Sequence, residues 1–247
     1  MMYDLICDVV FYTTYRKARN MMHDLPAASG TPRSHRKPWN EPPVRPLLEE
    51  IGNSVTHGIG ALLGIAGLIL LLVKSSSPEK TAASLIYGIC LILLFLMSCL
   101  YHAWPRGSMV KYVWRRFDYC SIYLLIGGTF APYWLVWVGG FRGILFLCIQ
   151  WALILTGITF IGIFGPGRLK PLHMSMYLVL GWSALAFFPA MLQASRSLTL
   201  MTLLGGIAYT AGIIPFAIKT RGAHFIWHLF VLLGALCHFI GIFYFMF

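Results

Sequence analysis

Long apolar stretches recur along most of the chain and are separated by short polar segments. Each is long enough to cross a hydrocarbon core of about 30 Å as a helix of about 20 residues. The pattern therefore predicts an all-α fold, a bundle of seven transmembrane helices. The predicted spans lie near residues 53–73, 82–102, 118–138, 142–164, 172–193, 199–217 and 225–246.

The amino-terminal part of the chain has a different pattern. Residues 20–48 hold six prolines interspersed with basic side chains, and this composition cannot build a hydrophobic core. We therefore predict two regions: a flexible basic tail over residues 1–48 and a membrane domain over residues 49–247.

Composition supports an integral, multi-pass membrane protein. Hydrophobic residues make up 58% of the chain and charged residues only 11%, which fits no ordinary soluble domain. The net charge of +11 does not indicate a nucleic-acid binder, because the basic residues lie between the apolar stretches and not together on one face. The expected partner is a membrane lipid or lipid-like substrate, and the sequence does not identify any protein partner.

The basic residues also predict an orientation. With seven spans, fifteen of the nineteen lysines and arginines fall in the tail and in every second loop. The four on the other side are Lys74, Lys80, Arg142 and Arg196. Because lysine and arginine concentrate in cytoplasmic segments, we expect a cytoplasmic amino terminus, an external carboxyl terminus and residence in the plasma membrane.

Asp118 is the only carboxylate side chain between Lys80 and the carboxyl terminus, and an acid inside a membrane segment is expensive to keep. In the predicted topology it begins span three at the cytoplasmic face. His102 ends span two at that face, and His224 and His228 begin span seven there. We therefore expect these four residues to meet.

Helical spacing groups further polar residues with this set. Residues three or four apart share a helix face. The groups are Glu50 with Asn53 and His57, Ser98 with His102, and His224 with His228.

Three histidines with one open coordination position are typical of a catalytic zinc site. His102, His224 and His228 would be the zinc ligands. Asp118 would orient or deprotonate a zinc-bound water, which zinc makes acidic near neutral pH. Ser98 would donate a hydrogen bond to a ligand or oxyanion. Glu50, Asn53 and His57 of the first span would support this site without binding the metal themselves.

Each residue also has a simpler interpretation. Two histidines four apart often form only a polar contact between membrane helices. Asp118 could pair with the neighbouring Arg115 and Arg116, and Ser98 could be a helix-packing residue. Glu50 could merely favour the positive end of the first helix dipole.

These motifs resemble a known family. Glu50-x-x-Asn53-x-x-x-His57, Ser98-x-x-x-His102 with Asp118, and His224-x-x-x-His228 resemble the three signature motifs of the progestin and adiponectin receptor family. The segments SCLYHAW, IYLLIGGTFAPYWL and HFIWHLF are similar to its hemolysin III branch. The likeness covers residues 48–247, and Tyr119 departs from it because many hemolysin III sequences have a histidine there.

The resemblance implies a seven-helix bundle that holds zinc near the cytoplasmic face through His102, His224 and His228, with Asp118 in contact with the zinc-bound water. It also implies relationship to a wider set of membrane hydrolases that includes the alkaline ceramidases. The leading hypothesis is a zinc-dependent hydrolase of a lipid amide or ester. One alternative is a receptor or scaffold with structural zinc, and another is a cytolytic pore.

Overall fold

Seven helical spans form the membrane domain, as the hydrophobic pattern predicts. The structure, a computed structural model, describes residues 40–218 and 220–247, and no β-strand occurs in these ranges. The spans, numbered one to seven in chain order, are Leu47–Lys74, Pro78–Ala103, Met109–Val138, Gly140–Phe164, Lys170–Ala194, Arg196–Ala217 and Ala223–Phe245.

Span three begins nine residues earlier than predicted. The Ser108 hydroxyl accepts a hydrogen bond from the Lys111 backbone N–H at 3.1 Å and so caps the helix that starts at Met109. The polar segment that we assigned to a loop is therefore helical. Asp118 consequently lies in the third turn of span three and not at its first residue.

Two spans depart from continuous α-helix. Span three is α-helical over Met109–Pro132 and ends in a π-helical turn, Tyr133–Val138. Span five is α-helical over Lys170–Gly181, passes through a 3-10 turn over Ser183–Phe187 and resumes as Phe188–Ala194. Pro189 explains the break in span five, because proline cannot donate the backbone hydrogen bond that would continue the helix.

Consecutive spans one, two and three pack on one another, six packs on seven, and seven also contacts one. Small residues allow the close approach. A Cβ atom on Gly60 of span one would lie 2.7 Å from the Phe95 ring of span two, and one on Gly67 would lie 2.8 Å from the Phe239 ring of span seven. Glycine at these positions brings span one against both neighbours.

The starts of spans one, three and seven meet the end of span two at one end of the bundle, which we call the site end. Glu50 of span one contacts His102 of span two and Lys111 of span three. Glu49 contacts Gly222, directly before span seven.

The domain division remains a prediction, because residues 1–39 lie outside the described residues. Of the predicted tail, the structure describes residues 40–48. Leu47 and Leu48 already belong to span one, and Asn40, Glu41 and Arg45 contact the membrane domain. The Asn40 amide donates to the Phe164 carbonyl oxygen at 3.0 Å and accepts from the Gly167 N–H at 3.3 Å.

Candidate metal centre

His102 is held at the end of span two by a carboxylate from span one. Its Nδ1 atom lies 2.6 Å from Oε2 of Glu50. An ionised carboxylate only accepts hydrogen bonds, so Nδ1 carries the proton and Nε2 carries the free lone pair. Nε2 is buried and has no hydrogen-bond partner among the described residues. His102 is therefore oriented with a metal-binding nitrogen free.

Lys111 fixes the same carboxylate from span three. Its Nζ lies 3.1 Å from Glu50 Oε2 and donates to the backbone carbonyl oxygens of Tyr101 and Trp104 at 3.1 and 3.0 Å. The side chain is 1% exposed. The buried ammonium thus caps the end of span two and pairs with the half-buried Glu50 carboxylate, and a buried ammonium without such a partner would be costly.

His224 and His228 complete a cluster with His102. One ring nitrogen from each lies within 4.8 Å of the others. The ring centroid of His102 is 5.3 Å from that of His224 and 4.8 Å from that of His228. The structure thus brings together the three histidines that the sequence predicted as metal ligands.

The two other predicted residues of span one border this cluster. The Asn53 amide nitrogen lies 3.5 Å from His102 Nδ1. The His57 ring stacks on the His228 ring with centroids 3.8 Å apart. Both nitrogens of His57 are buried without a hydrogen-bond partner among the described residues, so His57 acts on His228 through ring packing.

Asp118 is hydrogen-bonded to Ser98, which belongs to the adjacent span two, and it lies outside the group of three histidines whose ring nitrogens come within 4.8 Å of one another. The Asp118 side chain, His57, His224 and His228 line one cavity. Ser98 lies one turn before His102 on span two. Its single hydroxyl proton is donated to the Asp118 carboxylate.

The two arginines beside Asp118 are directed elsewhere. Arg115 donates to the Glu41 carbonyl oxygen at 3.0 Å, and Arg116 donates to the Tyr112 hydroxyl at 3.3 Å. Within residues 40–218 and 220–247, no basic nitrogen lies within 4.0 Å of the Asp118 carboxylate. The simple ion pair that we considered for Asp118 is therefore not formed there.

The cavity has a volume of about 130 Å³ and runs between spans two, three, five, six and seven. Pro43 and Arg45 line it at the site end, and aromatic and aliphatic side chains such as Ile126 and Trp227 line most of its length. A largely apolar channel thus leads from the histidine cluster into the bundle.

Three contributors at the site end were missed from the sequence. Glu49 accepts a hydrogen bond from the Gly222 N–H at 2.9 Å and so anchors the start of span seven. Lys111 was counted only as a loop charge. Arg45 lies in the predicted tail, yet it lines the cavity and donates to the Tyr101 hydroxyl at 3.5 Å. Acidic residues in the first helical turn were the available signal for Glu49.

His173 and Tyr119 lie near the site but have other partners. His173 Nδ1 lies 2.8 Å from the Tyr123 hydroxyl, and the residue is fully buried. His173 therefore has a protein partner of its own and lies outside the histidine cluster. Tyr119, where many hemolysin III sequences have histidine, accepts a hydrogen bond from the Tyr177 hydroxyl through its carbonyl oxygen at 2.8 Å and lines the cavity.

The residues at the cluster fit a bound metal ion. Imidazole nitrogens are good ligands for zinc and other transition metals. The buried Nε2 of His102 and Nδ1 of His228 have no protein partner among the described residues. A metal-binding histidine normally donates its second ring N–H to a carboxylate or carbonyl group, and Glu50 accepts that bond from His102.

Comparisons with known proteins place the chain in a family. Residues 46–239 match the profile described as "Haemolysin-III related". Hemolysin-3 of Bacillus cereus is 36% identical over 203 residues, which is 79% of this chain and 91% of the relative. The hemolysin-3 homolog of Bacillus subtilis is 37% identical over 194 residues, or 76% of this chain and 90% of the relative.

A human protein shares a more distant likeness. Monocyte to macrophage differentiation factor from Homo sapiens is 27% identical over 234 residues, covering 85% of this chain and 89% of the relative. The family profile covers well over half of the present chain. This chain is therefore a member of the haemolysin-III-related family of integral membrane proteins.

Proposed function

We propose that this protein is a zinc-dependent hydrolase that cleaves an amide or ester bond of a membrane lipid. The observation that carries the proposal is the hydrogen bonding of the two ring nitrogens of His102. Glu50 holds its Nδ1 at 2.6 Å, and its buried Nε2 has no hydrogen-bond partner among the described residues. One of its ring nitrogens lies within 4.8 Å of a ring nitrogen from each of His224 and His228.

His102, His224 and His228 would hold the zinc ion. Bound zinc polarises a carbonyl group and makes water a usable nucleophile near pH 7. Glu50 orients His102 and increases its basicity as a ligand. Lys111 keeps Glu50 in place through the 3.1 Å contact. His57 supports the His228 ring from the opposite side.

Asp118 is the proposed proton acceptor. Among the described residues it is the only acid that lines the cavity beside the histidines. Ser98 donates to its carboxylate and so fixes the direction of the remaining lone pairs. We therefore assign Ser98 a positioning role in place of a direct contact with an oxyanion.

The cavity supports a lipid as the substrate class. Its long apolar lining fits hydrocarbon, and its polar groups concentrate at the site end, where the bond to be cleaved would lie. Arg45 lines the cavity at this end, and its guanidinium group is a hydrogen-bond donor for a polar head group. Ceramides and related N-acyl lipids have this combination of a buried chain and an amide near the head group.

We propose that the site end faces the cytoplasm of the cell and that the membrane is the plasma membrane. The excess of basic residues in the tail and in the loops on that side supports this orientation. Labelling of single cysteines placed in the loops after Lys74 and after Ala103, with an impermeant reagent on intact cells, tests it. Labelling of the second loop alone would reverse the proposal.

The function is tested on protein purified in lipid nanodiscs. Zinc content is measured by mass spectrometry, and fatty acid released from an N-palmitoyl ceramide and from a palmitoyl ester is measured by chromatography. Wild type should bind about one zinc ion and release fatty acid from one of these lipids. Asp118→Asn should retain zinc and lose at least about a hundredfold in turnover.

Two outcomes would contradict the proposal. A wild-type protein that contains no zinc excludes it. Loss of both zinc and folding in Asp118→Asn, with no turnover by wild type, supports a structural metal in a receptor or scaffold. His173→Gln is the matched control and should retain zinc. His173 is as buried as His228, but it is bonded to Tyr123.

A further inference from the structure

A second polar cluster lies on the same cavity, far from the three histidines. His238 of span seven and Tyr209 of span six both line the cavity. Ten residues separate His238 from His228 on one helix, which places it about 15 Å further along the axis. The cluster therefore lies deep in the membrane domain.

His238 and Tyr209 contact each other through stacked rings whose centroids are 5.6 Å apart. Gly205 permits this arrangement, because a Cβ atom there would lie 2.5 Å from His238 Nε2. His238 is 4% exposed. The imidazole is thus fixed against span six at the cavity wall.

The polar atoms of this cluster lack partners. His238 Nδ1 and the hydroxyl groups of Tyr209 and Tyr87 are buried without a hydrogen bond to any described residue. Tyr87, fully buried in span two, lies within electrostatic range of Tyr209. Unpaired polar groups are costly in a region without water.

Other polar side chains of the neighbouring helices are hydrogen-bonded, in contrast to this cluster. The Tyr133 hydroxyl lies 2.6 Å from the Thr202 hydroxyl, and the Trp182 indole N–H donates to Thr210 at 3.0 Å. His238, Tyr209 and Tyr87 therefore differ from these paired neighbours, and among the described residues they form an unpaired group separate from the one at the site end.

The chemistry of the cluster selects an uncharged ligand group. Phenol hydroxyls and a neutral imidazole both donate and accept hydrogen bonds. After Lys80 the sequence contains no carboxylate other than Asp118, so a cation would lack a counter-charge. Arg45, at the site end, is the only lysine or arginine among the described residues that line the cavity, so an anion would also lack one.

We infer that His238 and Tyr209 bind a hydroxyl group carried near the middle of the ligand's hydrocarbon chain, which makes the cavity selective for hydroxylated lipids. The inference rests on the proposed function only in placing the reactive group at the histidine cluster. A lipid with its carbonyl there directs its chain along the apolar lining and brings its middle carbons to His238.

Oleic and ricinoleic acids provide a matched pair of probes, since they differ by one mid-chain hydroxyl group. Each is used to displace a fluorescent fatty acid from the full chain in nanodiscs. Ricinoleic acid should bind about tenfold more tightly, as expected for a buried hydrogen bond gained. The isomer hydroxylated beside its carboxyl group should show no such gain.

Tyr209→Phe and His238→Phe should each abolish most of this preference while oleic acid still binds. Tyr177→Phe is the matched control, because Tyr177 also lines the cavity but its hydroxyl is bonded to Tyr119; it should keep the preference. Equal affinities of wild type for the two acids would overturn the inference. A preference that survives in both His238 and Tyr209 variants would overturn it as well.

The same measurement on Asp118→Asn separates this inference from the hydrolase. This variant should retain the preference for ricinoleic acid, because the deep cluster is unchanged. A wild-type protein that prefers ricinoleic acid but hydrolyses no lipid would support the deep binding site and remove the enzymatic function.

Discussion

Glu50 and His102 are joined by a 2.6 Å contact between a carboxylate oxygen and Nδ1, across spans one and two. This contact determines which nitrogen of His102 is free. It also links the candidate metal centre to the start of span one, because Glu50 lies in the first turn of that helix.

Replacement of Glu50 by glutamine should weaken zinc binding by about ten- to a hundredfold, since a neutral amide orients the imidazole less firmly. Competition with a coloured chelator measures the affinity. Glu79→Gln is the control, because Glu79 is exposed in the first turn of span two. Unchanged zinc affinity in Glu50→Gln would remove the orienting role of this carboxylate.

Lys111→Met should destabilise the fold by about 3 kcal/mol, because it leaves Glu50 without its cation and two backbone carbonyl groups without their donor. Reversible unfolding in sodium dodecyl sulfate gives the free energy. Arg142→Met, at an exposed position, should change it little. If the two variants unfold alike, the buried ammonium does not stabilise the site end.

Glu49→Ala should cost about 1 kcal/mol, since it removes an acceptor from the N-terminus of span seven. Zinc affinity should fall with it, because His224 lies two residues after Gly222, the residue that Glu49 contacts. The free energy of unfolding is measured in sodium dodecyl sulfate, and zinc affinity is measured by competition with the chelator. Glu41→Ala keeps the carbonyl oxygen that binds Arg115 and should leave both unchanged; an equal loss there would point to the tail segment instead.

Ser98→Ala should lower kcat by about tenfold with KM and zinc content unchanged, because the Asp118 carboxylate loses its hydrogen bond but keeps its charge. Ser98→Thr retains the hydroxyl group and should restore most of the rate. Initial rates on the lipid that wild type cleaves give kcat and KM for both variants. A rise in KM without a fall in kcat would assign Ser98 to substrate binding.

The hydrophobic pattern was sufficient for the number and order of the spans, because a membrane requires long apolar helices whatever their neighbours are. It failed at the start of span three, where capping by Ser108 extends the helix through a charged segment. It also missed the break in span five. Both depend on local hydrogen bonds, which hydrophobicity does not record.

For the candidate site, helical spacing and topology predicted that His102, His224 and His228 converge, and the structure brings them together. They did not predict the partners of the individual polar atoms. Lys111 was counted as a loop charge, and the pairing of Asp118 was left open between arginine and zinc. Only packing brings Lys111 to Glu50 and turns Arg115 toward Glu41.

By itself, the sequence determined a seven-span membrane protein whose rare polar residues collect at one end, because burying charge in lipid restricts where such residues can occur. Tertiary structure alone decided which nitrogen of His102 is free, which residue holds Asp118, and which deep groups of the cavity remain unpaired. Hydrogen bonds between helices depend on side-chain distances of a few ångströms, and helix rotation and packing set these distances.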